Sequence, residues 1–361
     1  MEKVYRVMVI GCGHMGEAHL RDIYYRDRIH LAAVIDKDPG RAELAAKKFG
    51  ADRFGTDYRD FLDSGKIDIA VIATYAASHL RILRDCLGAG IHVLCEKPVA
   101  STLSDAEEFF RTARGAGSKV LVGHILRHNE TYQKAAKLIR EGAIGSPIVM
   151  RMVQNHHTMD WARYKRLLAD CPPIVDCGVH YFDVMQWFTG EKIVKVSGVK
   201  ASVDSDVPAG SYNYGIVTAA LSGGSVGYYE AGWGNTVASG NLKEFIGPRG
   251  RLSIIPAYQR QSHREEGDLI EFYSYPQKEY HEINLRTPRK PTYRQLLNLI
   301  GAVEGTGELN PTLEEAWSSC RAAFAADRAL RTGAAVSLSE NADSARAAAF
   351  PKGCARDFSA V

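Results

Sequence analysis

The chain has 361 residues, 45% of them apolar and 24% charged, which excludes disordered, collagen-like and fibrous classes and predicts about two domains at roughly 150 residues each. The 45 Lys plus Arg against 42 Asp plus Glu leave a net charge of +3, too even a balance to call for a nucleic-acid or membrane-surface partner. No apolar run reaches the roughly 18 residues of a membrane span.

Residues 1–10 run directly into a strand-like V-M-V-I, which leaves no room for a signal peptide. From there to residue 124, β-branched runs alternate with amphipathic stretches, the pattern of βα units around a parallel sheet. Strands are predicted over 4–10, 31–36, 67–73, 92–95 and 120–123, and helices over 15–26, 39–49, 78–89 and 103–113. This is an α/β, doubly wound Rossmann pattern.

After a helix over 129–141 the texture changes to period-two alternation at 148–153, 212–221, 225–233 and 271–275, with one helix at 177–189 and a Gly223-Gly224 turn. That predicts a second α/β domain over 125–340 with a large, mostly antiparallel sheet. Helical spacing returns at 293–304 and 313–330, helices expected beside that sheet or back on the first domain. Residues 341–361 read as a tail or edge segment. Seven cysteines (Cys12, Cys86, Cys95, Cys171, Cys177, Cys320 and Cys354) show no C-x-x-C spacing and fit reduced thiols in a cytoplasmic protein.

Gly11-Cys12-Gly13-His14-Met15-Gly16 joins the first strand to the first helix, the context in which G-x-G-x-x-G binds a dinucleotide. Gly11 makes the tight turn, Gly13 admits the pyrophosphate and Gly16 allows close helix packing. Asp36, twenty residues after Gly16, is placed for the ribose diol, so NAD is expected. Lys37 beside it keeps NADP possible.

Lys97, in Cys95-Glu96-Lys97-Pro98, closes a parallel strand, where such sheets place ligands; taken alone, a surface lysine before a proline is the commoner explanation. In Asp176-Cys177-Gly178-Val179-His180-Tyr181-Phe182-Asp183 the spacing puts Asp176, His180 and Asp183 on one face of a helix. An acidic cap with a core histidine, or a metal pair, would give the same spacing, but no further ligand cluster accompanies it, so no metal is expected.

Together these segments resemble the Gfo/Idh/MocA family, the glucose-fructose oxidoreductase and inositol dehydrogenase group. The matching stretches are G-C-G-H-M-G, A-V-I-D at 33–36, H-L-R-I-L-R-D-C-L-G-A-G-I-H-V-L-C-E-K-P at 79–98, G-H-I-L-R at 123–127, D-C-G-V-H-Y-F-D, E-F-I-G-P-R-G-R-L-S-I at 244–254 and N-P-T-L-E-E-A at 310–316. The likeness runs over nearly the whole chain. Thr74-Tyr75-Ala76-Ala77 departs from a Thr-Pro-Asn type turn, and Tyr75 is expected near the nicotinamide or its ribose.

The resemblance implies Lys97, Asp176 and His180 at the nicotinamide, with His180 as general acid/base. Thr74, His79 and Glu96 join the glycine turn, Asp36, Lys37, Tyr75 and Lys97 in the expected cofactor set. Arg127, Asn155 and His156 join Asp176 and His180 in the substrate set, with His157, Trp161, Tyr164 and Asn235 nearby. The partner implied is a sugar or cyclic polyol, and the assembly a homodimer or homotetramer through the second sheet. The competing readings are an NAD-retaining glycosidase working by transient oxidation and elimination, and a non-catalytic dinucleotide sensor.

Overall fold

A computed structural model describes residues 3–63, 66–260 and 267–338. The first sheet is wholly parallel, with β1 (Tyr5–Ile10), β2 (Ile29–Ile35), β3 (Arg53–Gly55), β4 (Ile69–Ile72), β5 (His92–Cys95) and β6 (Val120–Val122) in the order β3-β2-β1-β4-β5-β6. Apolar runs such as Ile-Ala-Val-Ile in β4, buried at every position, suit strands covered on both faces. The covering helices are α1 (His14–Ile23), α2 (Pro39–Phe49), α3 (His79–Gly88) and α4 (Leu103–Arg114). In α2 the Asp38 side chain accepts from the Gly40 and Arg41 amides, Pro39 fits the first turn, and Gly50 ends the helix at φ +67°. The strand order reverses between β1 and β4, which opens a crevice above their carboxyl ends.

The second sheet joins β7 (Val149–His157), β8 (Ile193–Ala201), β9 (Tyr214–Leu221), β10 (Val226–Gly234), β11 (Lys243–Gly247), β12 (Gly250–Ile255), β13 (Asp268–Ser274), β14 (Glu279–Leu285) and β15 (Val336–Ser337). Their order is β14-β13-β12-β11-β7-β10-β9-β8-β15, antiparallel except for the parallel pair β7/β10. The remaining helices are α5 (Glu130–Arg140), α6 (Trp161–Asp170), α7 (Pro173–Asp176), α8 (Gly178–Thr189), α9 (Thr292–Glu304) and α10 (Leu313–Thr332). Met150, Met152, Tyr229, Phe245 and Leu252 on one face of the sheet share a core with Phe182, Met185 and Phe188 of α8.

The late helices return to the first sheet. Leu296, Leu299 and Ile300 of α9 pack with Val7, Val9 and Leu20, while α10 gives Ala316 and Cys320 to the other side of that sheet and Ala326 and Leu330 to the second core. The expected tail over 341–361 lies outside the described residues.

Candidate active site

The glycine turn sits at the mouth of the crevice. Gly11 adopts φ +94°, and a Cβ there would meet Ala73 O at 2.6 Å; a Cβ on Gly16 would stand 1.7 Å from Gly11 O. Both positions therefore require glycine. At Gly13 an added Cβ would find no neighbour within 4 Å, and no side chain caps the first turn of α1. Without a side-chain cap the first-turn amides are left for water or a bound anion. Asp36 Oδ2 accepts from the Cys12 amide at 2.8 Å and Oδ1 from the Asp38 amide at 3.0 Å. These bonds fix its carboxylate at the end of β2. Arg41, which sequence reasoning missed, stands 3.6 Å from Asp36 and is half exposed.

Lys97 follows β5 and His124 follows β6, so both stand at carboxyl ends of the same sheet. Lys97 Nζ donates to the Asp176 carbonyl at 2.9 Å and to Asp176 Oδ2 at 3.3 Å. The carbonyl is available because the chain turns at Cys177 between α7 and α8: the His180 amide donates to Cys177 O at 3.2 Å, one residue short of the α-helical acceptor. An ammonium has three donors, so one remains for a ligand. Burial opposes the Lys97 charge, but Asp176, with smaller help from Cys177 and Glu96, outweighs it and holds the pKa above the usual lysine value.

His180 stands in the first turn of α8. Burial, then the positive field of Lys97 and the neighbouring His124, push its pKa well below the ordinary histidine value. Its ring is therefore neutral near pH 7, and Nδ1 is buried without a partner. The His124 ring lies edge-to-face at 5.8 Å, with both nitrogens buried and without a hydrogen bond and Nδ1 3.6 Å from Asp183 Oδ2. His156 shares this side of β7: Asp176 and Lys97 act on its charge, and its ring lies 6.3 Å from that of Tyr164.

Several expected site residues are committed elsewhere. Asp183, which the spacing placed on one helix face with His180, is hydrogen-bonded twice by Arg127, both at 2.8 Å, and by Ser319. Arg127 is likewise no free substrate contact, because its remaining nitrogen donates to Asn310 and Glu315. Asn155 faces away from His156, since successive residues of a strand point to opposite faces, and it donates to Glu230 at 2.6 Å. His79 and Glu96 lie behind the crevice, His79 Nε2 against Thr74 O at 3.1 Å and Glu96 against His19 at 2.8 Å. Trp161 and Asn235 are held by Asp206 and Asp204, while Lys37, Tyr75 and His157 are exposed. Among the described residues no cluster of metal ligands occurs.

One surface cavity, of about 460 Å³, is lined by Arg127, Trp187 and Glu315, and another, of about 240 Å³, by Asp170, Pro208 and Phe324. Neither includes Lys97, Asp176 or His180.

Comparison with known proteins follows the same division of the chain. Residues 5–124 match the model of the Gfo/Idh/MocA oxidoreductase family with an NAD-binding Rossmann fold, and residues 132–253 match the Gfo/Idh/MocA C-terminal domain. Inositol 2-dehydrogenase 2 of Saccharopolyspora erythraea is 33% identical over 191 residues, 52% of this chain and 54% of that protein. The match thus spans about half the length of that relative. D-apiose dehydrogenase of Paraburkholderia graminis is 27% identical over 277 residues, 73% of this chain and 71% of that protein. Among solved structures, myo-inositol 2-dehydrogenase from Lactobacillus plantarum shares the fold with a TM-score of 0.78 at 20% identity, over 93% of this chain and all of that one.

Proposed function

The chain belongs to the Gfo/Idh/MocA family of oxidoreductases, and from that premise we propose that it is an NAD(P)-dependent dehydrogenase acting on a CH–OH group of a sugar or cyclic polyol. The observation that carries this reading is the meeting of Lys97 with Asp176 beside a neutral His180, at the carboxyl edge of the sheet that holds the glycine turn. Relatives named for inositol and apiose support the substrate class.

The residues fit a dinucleotide: Gly13 leaves room for the pyrophosphate, the uncapped amides of α1 meet its charge, and Asp36 faces a ribose diol. When bound, the nicotinamide supplies the hydride acceptor. His180 takes the hydroxyl proton as the carbon is oxidised and returns it in the reverse direction. Since Nδ1 is buried, Nε2 is the nitrogen that does so. The third N–H of Lys97 holds the same oxygen and stabilises its alkoxide character in a site poor in water. Asp176 fixes Lys97 and offers its carboxylate to a neighbouring hydroxyl. The uncovered face of the second sheet, with Arg151, Tyr228 and Glu244, is the surface on which copies of the chain would associate.

Purified protein with NAD or NADP and a panel of inositols, aldoses, sugar acids and glycosides tests this reading by absorbance at the NADH band together with product analysis. NADH formed with one polyol or sugar establishes it. Glycoside cleavage without net NADH favours transient oxidation with retained cofactor, and dinucleotide binding without any turnover favours a sensor.

Two expected results follow at once. Asp36→Ala is expected to weaken NAD by roughly ten- to a hundredfold, the worth of hydrogen bonds to a charged group, while NADP loses less because Arg41, 3.6 Å from Asp36, would remain for a 2′-phosphate. Titration of both cofactors checks it, and unchanged NAD affinity would contradict the assignment of Asp36. Because His180 is held neutral by burial, kcat/KM in the oxidation direction falls only well below the ordinary histidine range of about 6.5. A pH profile with its acid limb at or above that value would contradict it.

A further inference from the structure

Lys290 lies on the segment between β14 and α9, far in sequence from every motif of the cofactor site. Its Nζ donates to His14 Nε2 at 2.5 Å and stands 3.4 Å from Met15 Sδ, so it rests directly on the glycine turn. Both contacts are neutral. Burial, then the positive field of Lys290 and its neighbours Arg163 and Arg289, push His14 below the ordinary histidine pKa, and a thioether carries no charge. The one carboxylate that acts appreciably on Lys290 is Glu96, already bonded to His19 at 2.8 Å. Among the described residues neither Lys290 nor Arg163 forms an ion pair, and Arg163, Arg289 and Lys97 all add positive charge around Lys290.

A half-buried ammonium held by uncharged partners keeps its whole charge for an anion. Resting on the uncapped start of α1, beside the space left open at Gly13, it faces where a dinucleotide pyrophosphate lies in such a turn. We infer that Lys290 is a pyrophosphate-binding residue of the dinucleotide site, delivered to the glycine turn of the first sheet by the segment that leaves the second. The inference rests on the dinucleotide reading given above. Lys290 touches His14 and Met15 and acts on Lys97 only at a distance, so the anion it serves is the cofactor and not a carboxylate or phosphate of the substrate. A dinucleotide bound there ties the two halves of the chain together, which slows its release.

Calorimetric titration of the full chain with ADP-ribose, NAD and adenosine tests this without turnover. Lys290→Met is expected to weaken ADP-ribose and NAD roughly tenfold or more, as loss of a charge-assisted bond does, and to leave adenosine unchanged. Lys290→Arg retains most of the affinity, and a thermal melt of each variant confirms that it is folded. In the wild type, ADP-ribose affinity falls as pH rises above the Lys290 pKa of about 8, and in Lys290→Met that fall is lost. Of the groups facing Lys290, His14 and Glu96 have pKa values below their ordinary ones and Lys97 above its own, so none of these three titrates near pH 8. Unchanged ADP-ribose affinity in Lys290→Met, or an effect confined to the KM of the substrate, overturns the inference. A wild-type protein that fails to bind ADP-ribose defeats the dinucleotide reading itself, and this inference with it.

Discussion

His180→Ala is expected to lower kcat by roughly 10² to 10⁴, the usual contribution of a positioned general base, with ADP-ribose affinity intact. The separation follows from placement: His180 stands in the first turn of α8, whereas the residues proposed to meet the pyrophosphate belong to α1 and the segment before α9. The residual rate should also lose its acid limb, because the group that titrates there is gone. Stopped-flow measurement of NADH formation, with calorimetry of ADP-ribose on the same preparation, checks both halves. Wild-type turnover in the variant removes His180 from the chemistry, and a parallel loss of ADP-ribose affinity reassigns the damage to folding.

The environment of His180 is the reason so large an effect is expected of one imidazole. A base is useful near neutral pH only while unprotonated, and burial with Lys97 close by keeps His180 in that state. Lys97 stays charged because Asp176 offers it both a carbonyl and a carboxylate oxygen. The two groups thus hold opposite protonation habits, a neutral base beside a permanent cation, as abstraction of a proton from an alkoxide-forming hydroxyl requires.

The glycine turn and the parallel strands were legible because each rests on local chemistry: a glycine at φ +94°, a proline in the first turn of α2, and runs of buried β-branched residues. What failed depended on partners distant in the chain. The spacing of Asp176, His180 and Asp183 promised one polar stripe, yet the turn at Cys177 separates the first from the others, and Asp183 is claimed by Arg127, 56 residues away. The side of β7 that Asn155 takes was not legible, since adjacent residues face opposite sides and register fixes which side is which. The edge strand β3 is only three residues long and offers no alternation to read. Lys290 carried no signal at all, because a lysine before a proline in a connecting loop acquires meaning only when α9 packs on α1.

Arg127→Met is expected to destabilise the fold by about 3 to 5 kcal/mol, the cost of leaving a buried charge without its partner. Arg127 and Asp183 have side chains only 3% and 1% exposed. Burial works against the Asp183 carboxylate, but the His124 ring and the doubly bonded guanidinium win, and its pKa lies below the ordinary aspartate value. In the wild type this stabilisation is therefore present above the unfolded pKa of about 3.9 and lost as pH falls through the lower folded value. Without the guanidinium the sign reverses. The buried carboxyl pKa rises, so the deficit of the variant is largest at neutral pH and shrinks as pH is lowered toward about 5. Urea melts at neutral and mildly acidic pH measure this, and Arg127→Met with Asp183→Leu should recover much of the loss, since no charge is then stranded. Assayed cold, where it remains folded, Arg127→Met should keep the substrate KM of the wild type, because the guanidinium is fully occupied by Asp183, Asn310 and Glu315. A KM raised tenfold or more, with stability unchanged, would return Arg127 to the substrate site that its motif suggested.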